Sequence, residues 1–117
     1  MAKKHMLIFH GGYYEGLSPK EVEAQFNLWF EWIDTLKKKG VYVGGDPLEN
    51  GGKVVASRNG KIVIDGPYSE SKELVAGYFL LEIASFEEAV EIAKGYPDFP
   101  FGGKVEVRGV MELPADK

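Results

Sequence analysis

At 117 residues, 44% hydrophobic and 27% charged, the chain is long enough for one domain with a real core and too short for two, and its composition excludes disordered and fibrous classes. A formal net charge of -4 argues against nucleic acid or an anionic membrane as partner, because both select clustered Lys and Arg to replace counterions. The absence of cysteine removes disulfides, thiolate metal sites and a Cys nucleophile together.

The apolar run Met6 to Phe9 is far shorter than a signal-peptide core or a membrane span, so the expectation is a cytoplasmic protein, residues 1–117 forming a single domain with no lipid anchor. Because that run is continuous and does not alternate, His5 to His10 reads as a central strand covered on both faces. His5 and His10 are an odd number of positions apart, face opposite ways and cannot share a metal ion, and neither a metal nor a cofactor is expected. His10 closes the strand beside Gly11-Gly12 and is a candidate for acid–base work together with Asp65 or Glu106. Tyr13 and Tyr14 follow in a loop, lining a pocket or packing on a neighbour.

Ser18-Pro19-Lys20-Glu21 is a helix start, with Ser18 as N-cap, Pro19 in the first turn and Glu21 closing a capping box. Val22, Phe26, Trp29, Ile33 and Leu36 follow at helical spacing, and Gly40 stops the helix after about five turns. Leu28, Phe30 and Trp32 widen the apolar surface, which means a large core or a flank touching another subunit. Lys37, Lys38 and Lys39 complement the helix dipole at its C-terminus.

Val41 to Val43 reads as a short strand ending in a turn at Gly44-Gly45-Asp46-Pro47, whose glycines permit close backbone approach, and Asp46 joins the candidate ligand-binding residues. Lys53 to Arg58 and Lys61 to Asp65 flank Asn59-Gly60, a type I′ hairpin signal that sets Arg58 opposite Lys61 and Val54 opposite Asp65. Gly66-Pro67 then forces a turn, and Ser69 to Glu73 suits one exposed helical turn. Asp65, at a strand end beside that turn, either caps loop amides or faces a pocket as a catalytic carboxylate.

Gly77 to Ile83 is the second central strand, with Tyr78 and Leu80 on one face and Phe79, Leu81 and Ile83 on the other. A second capping box at Ser85 to Glu88 opens a helix of about three turns, stopped by Gly95 and Pro97. Pro97 to Gly103 is a rigid loop, and Lys104 to Leu113 is the last strand, placing Val105, Val107 and Met111 on one face and Glu106, Arg108 and Glu112 on the other.

These elements assemble into an α+β, ferredoxin-like split βαβ sandwich with an added hairpin. Two helices shelter only one sheet face, yet both central strands are apolar on both. A second copy is the simplest cover, so the expected assembly is a homodimer. Glu106 and Arg108 would then point into a partly enclosed cavity suited to a small molecule.

The stretches HMLIF, GPY after Asp65, SKE, AGYFLLEI, FEEAVEIAK and KVEVRGVMEL resemble the YCII-related proteins, in particular the subgroup marked by a DGPF motif, with Tyr68 in place of the usual Phe. The resemblance implies a ferredoxin-like fold pairing as a dimeric α/β barrel. Some relatives in other branches are dehalogenating lyases using a His and Asp pair, the His lying on the first helix. No histidine occurs between Ser18 and Lys39, which removes that base here.

Two functions follow. One is a lyase- or hydrolase-like enzyme, with Asp65, Glu106 or His10 catalytic and Arg108, Tyr78, Asp46 and Tyr68 binding the ligand. The alternative is a non-catalytic accessory or regulatory module; the resemblance associates such modules with transcription regulators. Arg108 can equally form a cross-strand ion pair.

Overall fold

The first strand separates two environments. In the computed structural model, which describes residues 2–65 and 74–114, β1 (Lys3–His10) alternates buried His5, Leu7 and Phe9 with half-buried Met6, Ile8 and His10. β5 (Val75–Ile83) does the same, burying Phe79, Leu81 and Ile83 and leaving Ala76, Tyr78 and Leu80 half-buried. With β2 (Tyr42–Pro47) and β6 (Lys104–Gly109) they form a four-stranded sheet in the order β2-β5-β1-β6, antiparallel at every pairing. The two central strands are those whose apolar runs do not alternate, as the pattern predicts. With helices between β1 and β2 and between β5 and β6, the arrangement is mixed α+β and consistent with a ferredoxin-like sandwich.

Helix α1 (Pro19–Lys38) begins as read: Ser18 Oγ accepts from the Glu21 amide and the Glu21 carboxylate accepts from the Ser18 amide. Gly40 follows the C-cap at φ 76°, the left-handed conformation that lets the chain turn away. The buried stripe is rotated from the expected one. Gln25 and Leu36 are buried and Trp29, Trp32 and Ile33 pack against the core, whereas Phe26 is half-exposed. Trp32, expected on the flank, lies against Phe9 and Phe79 because the bulk of two indoles sets which side of the helix faces the sheet.

α2 (Phe86–Ala93) is about two turns long, shorter than expected, and buries Ala89, Ile92 and Ala93 on the same sheet face. Its capping box is only half made: Ser85 Oγ accepts from Glu88, but the Glu88 carboxylate accepts from Ala84 and not from Ser85. Gly95 is a packing glycine, since a Cβ there would stand 2.9 Å from Trp32 Nε1.

Two strand limits differ from expectation. Gly44-Gly45-Asp46-Pro47 is not a turn but the body of β2, beyond an irregularity in register between Tyr42 and Gly44. The close approach those glycines allow is to β5: a Cβ on Gly45 would lie 2.4 Å from the Tyr78 carbonyl. The last strand stops at Gly109, and Met111 lies exposed beyond the sheet. Among the described residues, strands β3 (Val54–Arg58) and β4 (Lys61–Asp65) pair only with each other, in the predicted register, around Asn59 (φ 51°) and Gly60 (φ 79°). The Gly66-Pro67 turn, Tyr68 and the helical turn expected over Ser69 to Glu73 lie outside the described residues.

Candidate functional site

Both helices pack against the face of Leu7, Phe9, Phe79, Leu81 and Ile83, so the opposite sheet face carries no helix among the described residues. The register lines up that open face in rows. Asp46 pairs with Tyr78, Tyr78 with Ile8 and Ile8 with Glu106, giving one row across all four strands. The next row is Gly44, Leu80, Met6 and Arg108. An apolar floor of Ile8, Met6 and Leu80 is thus flanked by polar groups at both sheet edges.

On the β6 side, His10 Nε2 lies 3.0 Å from Glu106 Oε1, and Arg108 Nη1 donates to Glu106 Oε2 at 3.1 Å. His10 is the more sheltered partner, 16% exposed against 42% for Glu106. The His10 hydrogen bond and then the Arg108 guanidinium hold the Glu106 carboxyl below its usual range. Such a carboxyl is a poor general acid and a weakened base, and suits an orienting role. The Arg108 pair runs along its own strand, not across strands. On the β2 side, Tyr78 Oη donates to Asp46 at 3.0 Å, and that bond raises the phenol pKa.

Adjacent strands are about 4.8 Å apart, so Asp46 and Glu106, three spacings away from each other, are separated by about 14 Å. That exceeds the ~5–9.5 Å of carboxylate pairs serving one reacting bond, so within one protomer they cannot act as such a pair. Of the sequence candidates, the sheet brings together His10, Glu106 and Arg108 at one edge and Tyr78 and Asp46 at the other. Asp65 is elsewhere: it ends β4, in the separate two-stranded sheet, and forms an ion pair with Arg58, so it does not join the row. His5 faces the helices, with Nδ1 3.1 Å from the Lys3 carbonyl oxygen and its ring 6.2 Å from that of Phe86.

Sequence reading missed Asp98. It is 5% exposed, and its oxygens accept from Tyr14 Oη at 2.9 and 3.0 Å, Gln25 Nε2 at 2.8 Å and Trp29 Nε1 at 3.0 Å. Burial and then the Asp98 carboxylate push the Tyr14 phenol pKa up; burial and the same carboxylate push up Tyr96. The available signal was Gln25, a polar residue where the rotated stripe of α1 calls for an apolar one. With every carboxylate oxygen engaged, Asp98 ties the β1–α1 loop, α1 and the loop before β6 together on the helical side.

A cleft of about 170 Å³ at the base of the hairpin is lined by Tyr13, Glu49, Gly51, Lys53, Val54 and Leu74 among others. It is smaller than the ~300–1,000 Å³ of small-molecule pockets and contains none of the open-face row. Among the described residues no group of three His, Cys, Asp or Glu side chains is placed to hold a metal ion, and no helix is long and apolar enough to cross a membrane.

A one-sided, four-stranded antiparallel sheet with its polar groups gathered on the bare face defines an α+β sandwich protein whose site of interest is the open sheet. The chain belongs to the YCII-related domain family, whose model matches residues 6–114. It is also similar to the uncharacterised protein R00369 of Rhizobium meliloti (strain 1021), with 42% identity over 60 residues, 46% of this chain and 48% of that protein. The match therefore spans about half of the relative's length.

Proposed function

We propose that this chain is a single DGPF-type unit that pairs face to face through its open sheet as a dimeric α/β barrel and binds a small molecule in the space enclosed, as a lyase- or hydrolase-like enzyme. In this reading His10 handles the proton, Glu106 orients its ring, Arg108 meets an anionic group of the substrate, and Tyr78 with Asp46 orients the far end. The observation that carries it is the contact of His10 with Glu106 at 3.0 Å on a sheet face that neither helix covers. Asp65 drops from the catalytic set, and Tyr68 stays an expected ligand contact.

The second reading is a non-catalytic accessory or regulatory module holding a metabolite in the same place. It is favoured by the fact that Glu106 is already engaged by two partners and Asp46 by Tyr78, leaving no carboxylate of the row poised alone. A metabolite screen by thermal shift, followed by assay of every hit, separates the two, because a ligand of the native state raises its apparent stability. On the enzymatic reading His10→Phe and Glu106→Gln keep the shift and lose turnover, while Asp65→Asn keeps both. Turnover surviving in His10→Phe and Glu106→Gln would remove the catalytic assignment.

A further inference from the structure

Two of the three asparagines in the chain, Asn50 and Asn59, precede glycine. In that pair the asparagine carboxamide is open to attack by the amide nitrogen of the next residue, because glycine has no Cβ to crowd the approach. The nitrogen bonds to Cγ, the bond from Cγ to the side-chain nitrogen breaks, and ammonia leaves with the amide proton. Water then opens the resulting five-membered imide at either carbonyl, giving aspartate or an isoaspartyl link in which the backbone runs through the side chain. Neither step needs an oxidant, a metal or a second protein.

The two sites share sequence and openness but not backbone. Both asparagines are exposed, and a Cβ on Gly51 or Gly60 would meet nothing within 4 Å. Asn59 has φ 51° and Gly60 φ 79° in a two-residue loop closed by the Arg58–Lys61 pair, the type I′ geometry. That turn sets ψ of its first central residue at about +30°, which holds the next nitrogen about 150° round the Cα–C bond from Cβ, the wrong side for ring closure. Asn59 therefore reacts only when the end of the hairpin opens. Asn50 lies between β2 and β3, in neither helix nor strand, and neither it nor Gly51 nor Gly52 makes a hydrogen bond with a described residue. No ladder bond opposes rotation about its Cα–C bond. We propose that Asn50–Gly51 is a self-modification site, at which the folded chain loses ammonia and gains a carboxylate, whereas Asn59–Gly60 is the same dipeptide held inert by its turn.

The place bears on the cleft at the base of the hairpin. Glu49, Gly51, Gly52 and Lys53 all line it, so the product sets a new carboxylate beside Glu49 in that wall, and the isoaspartyl form lengthens the wall's backbone by a methylene. The test uses the folded full chain, kept for days in mildly alkaline buffer and then cleaved after lysine, which puts the two sites in separate peptides, residues 40–53 and 54–61. The first peptide is expected to gain the mass of Asp for Asn, as a mixture of aspartate and isoaspartate, about tenfold faster than the second. In denaturing urea the two peptides are expected to convert at similar rates, since the turn is gone. The intact protein is expected to gain acidic species on anion exchange. Asn50→Gln abolishes them, because its ring would be six-membered and closes more slowly; Asn59→Gly, which suits a type I′ turn, leaves them in place. Equal conversion of both sites in the folded chain, faster conversion at Asn59, or an Asn50 that stays intact while the chain is folded would each overturn the proposal.

Discussion

At the scale of single residues, the buried Asp98 is the strongest constraint on the helical side. It trades solvating water for hydrogen bonds from Tyr14, Gln25 and Trp29, partners 84, 73 and 69 positions away in sequence. Asp98→Asn replaces one accepting oxygen with a donor facing donors and is expected to cost about 2–3 kcal/mol, read as a lower urea midpoint at unchanged slope. Tyr14 and Tyr96 extend the consequence to alkaline pH. Their phenols ionise less readily in the folded chain than in the unfolded one, from which protons leave near the ordinary 10.0. Their contribution to stability is whole below that pH and declines as pH rises beyond it, since the unfolded state releases protons that the folded state keeps. Phenolate absorbance should therefore show these two rings ionising only along with loss of native circular dichroism; full ionisation in a still-folded protein would contradict it. None of this was legible in PDFPFGG, which reads only as a rigid loop. Side chains that meet across such separations leave no local pattern.

At the scale of elements, what the chain shows openly is whatever is decided within a few residues. The Ser18 capping box, the stop at Gly40 and the hairpin register all follow from local backbone chemistry and sit where the residues indicate. Ser18→Ala is expected to cost about 1 kcal/mol. Misreadings arise where tertiary packing overrides a local signal. Paired glycines ordinarily mark a turn, but here β5 needs a neighbour without a side chain, so Gly44-Gly45 continues as strand. The two positions separate those explanations. A Cβ at Gly44 meets nothing within 4 Å, whereas one at Gly45 meets the Tyr78 carbonyl at 2.4 Å and the Phe79 ring at 2.7 Å. Gly44→Ala should leave stability nearly unchanged, while Gly45→Ala should lose about 1–3 kcal/mol through displaced backbone. Equal denaturation midpoints for the two variants would mean that β2 shifts freely along the sheet edge. The same override moved the buried side of α1: periodicity gave the helix, and the volumes of Trp29 and Trp32 chose its rotation.

At the scale of the whole molecule, the question is what the bare sheet face does to stability. Met6, Ile8, Tyr78 and Leu80 lie half-buried on a face to which neither helix contributes, with polar groups confined to its edges. The alternation of β6 and the continuous runs of β1 and β5 already indicated this distribution, because the side-chain period of a strand needs no tertiary information. If two copies cover that face, unfolding is coupled to dissociation, and mass action makes the midpoint temperature depend on protein concentration. Wild-type melts should therefore shift upward with each increase in protein concentration. Leu80→Arg places a cation in the middle of the apolar floor, where pairing would bury it without a partner, so the expected variant is folded, with a melt independent of concentration. A wild-type melt already independent of concentration would mean that the open sheet is stable as a solvent-facing surface, and the His10, Glu106 and Arg108 cluster would then be a surface ion pair in water, with no enclosed space to serve.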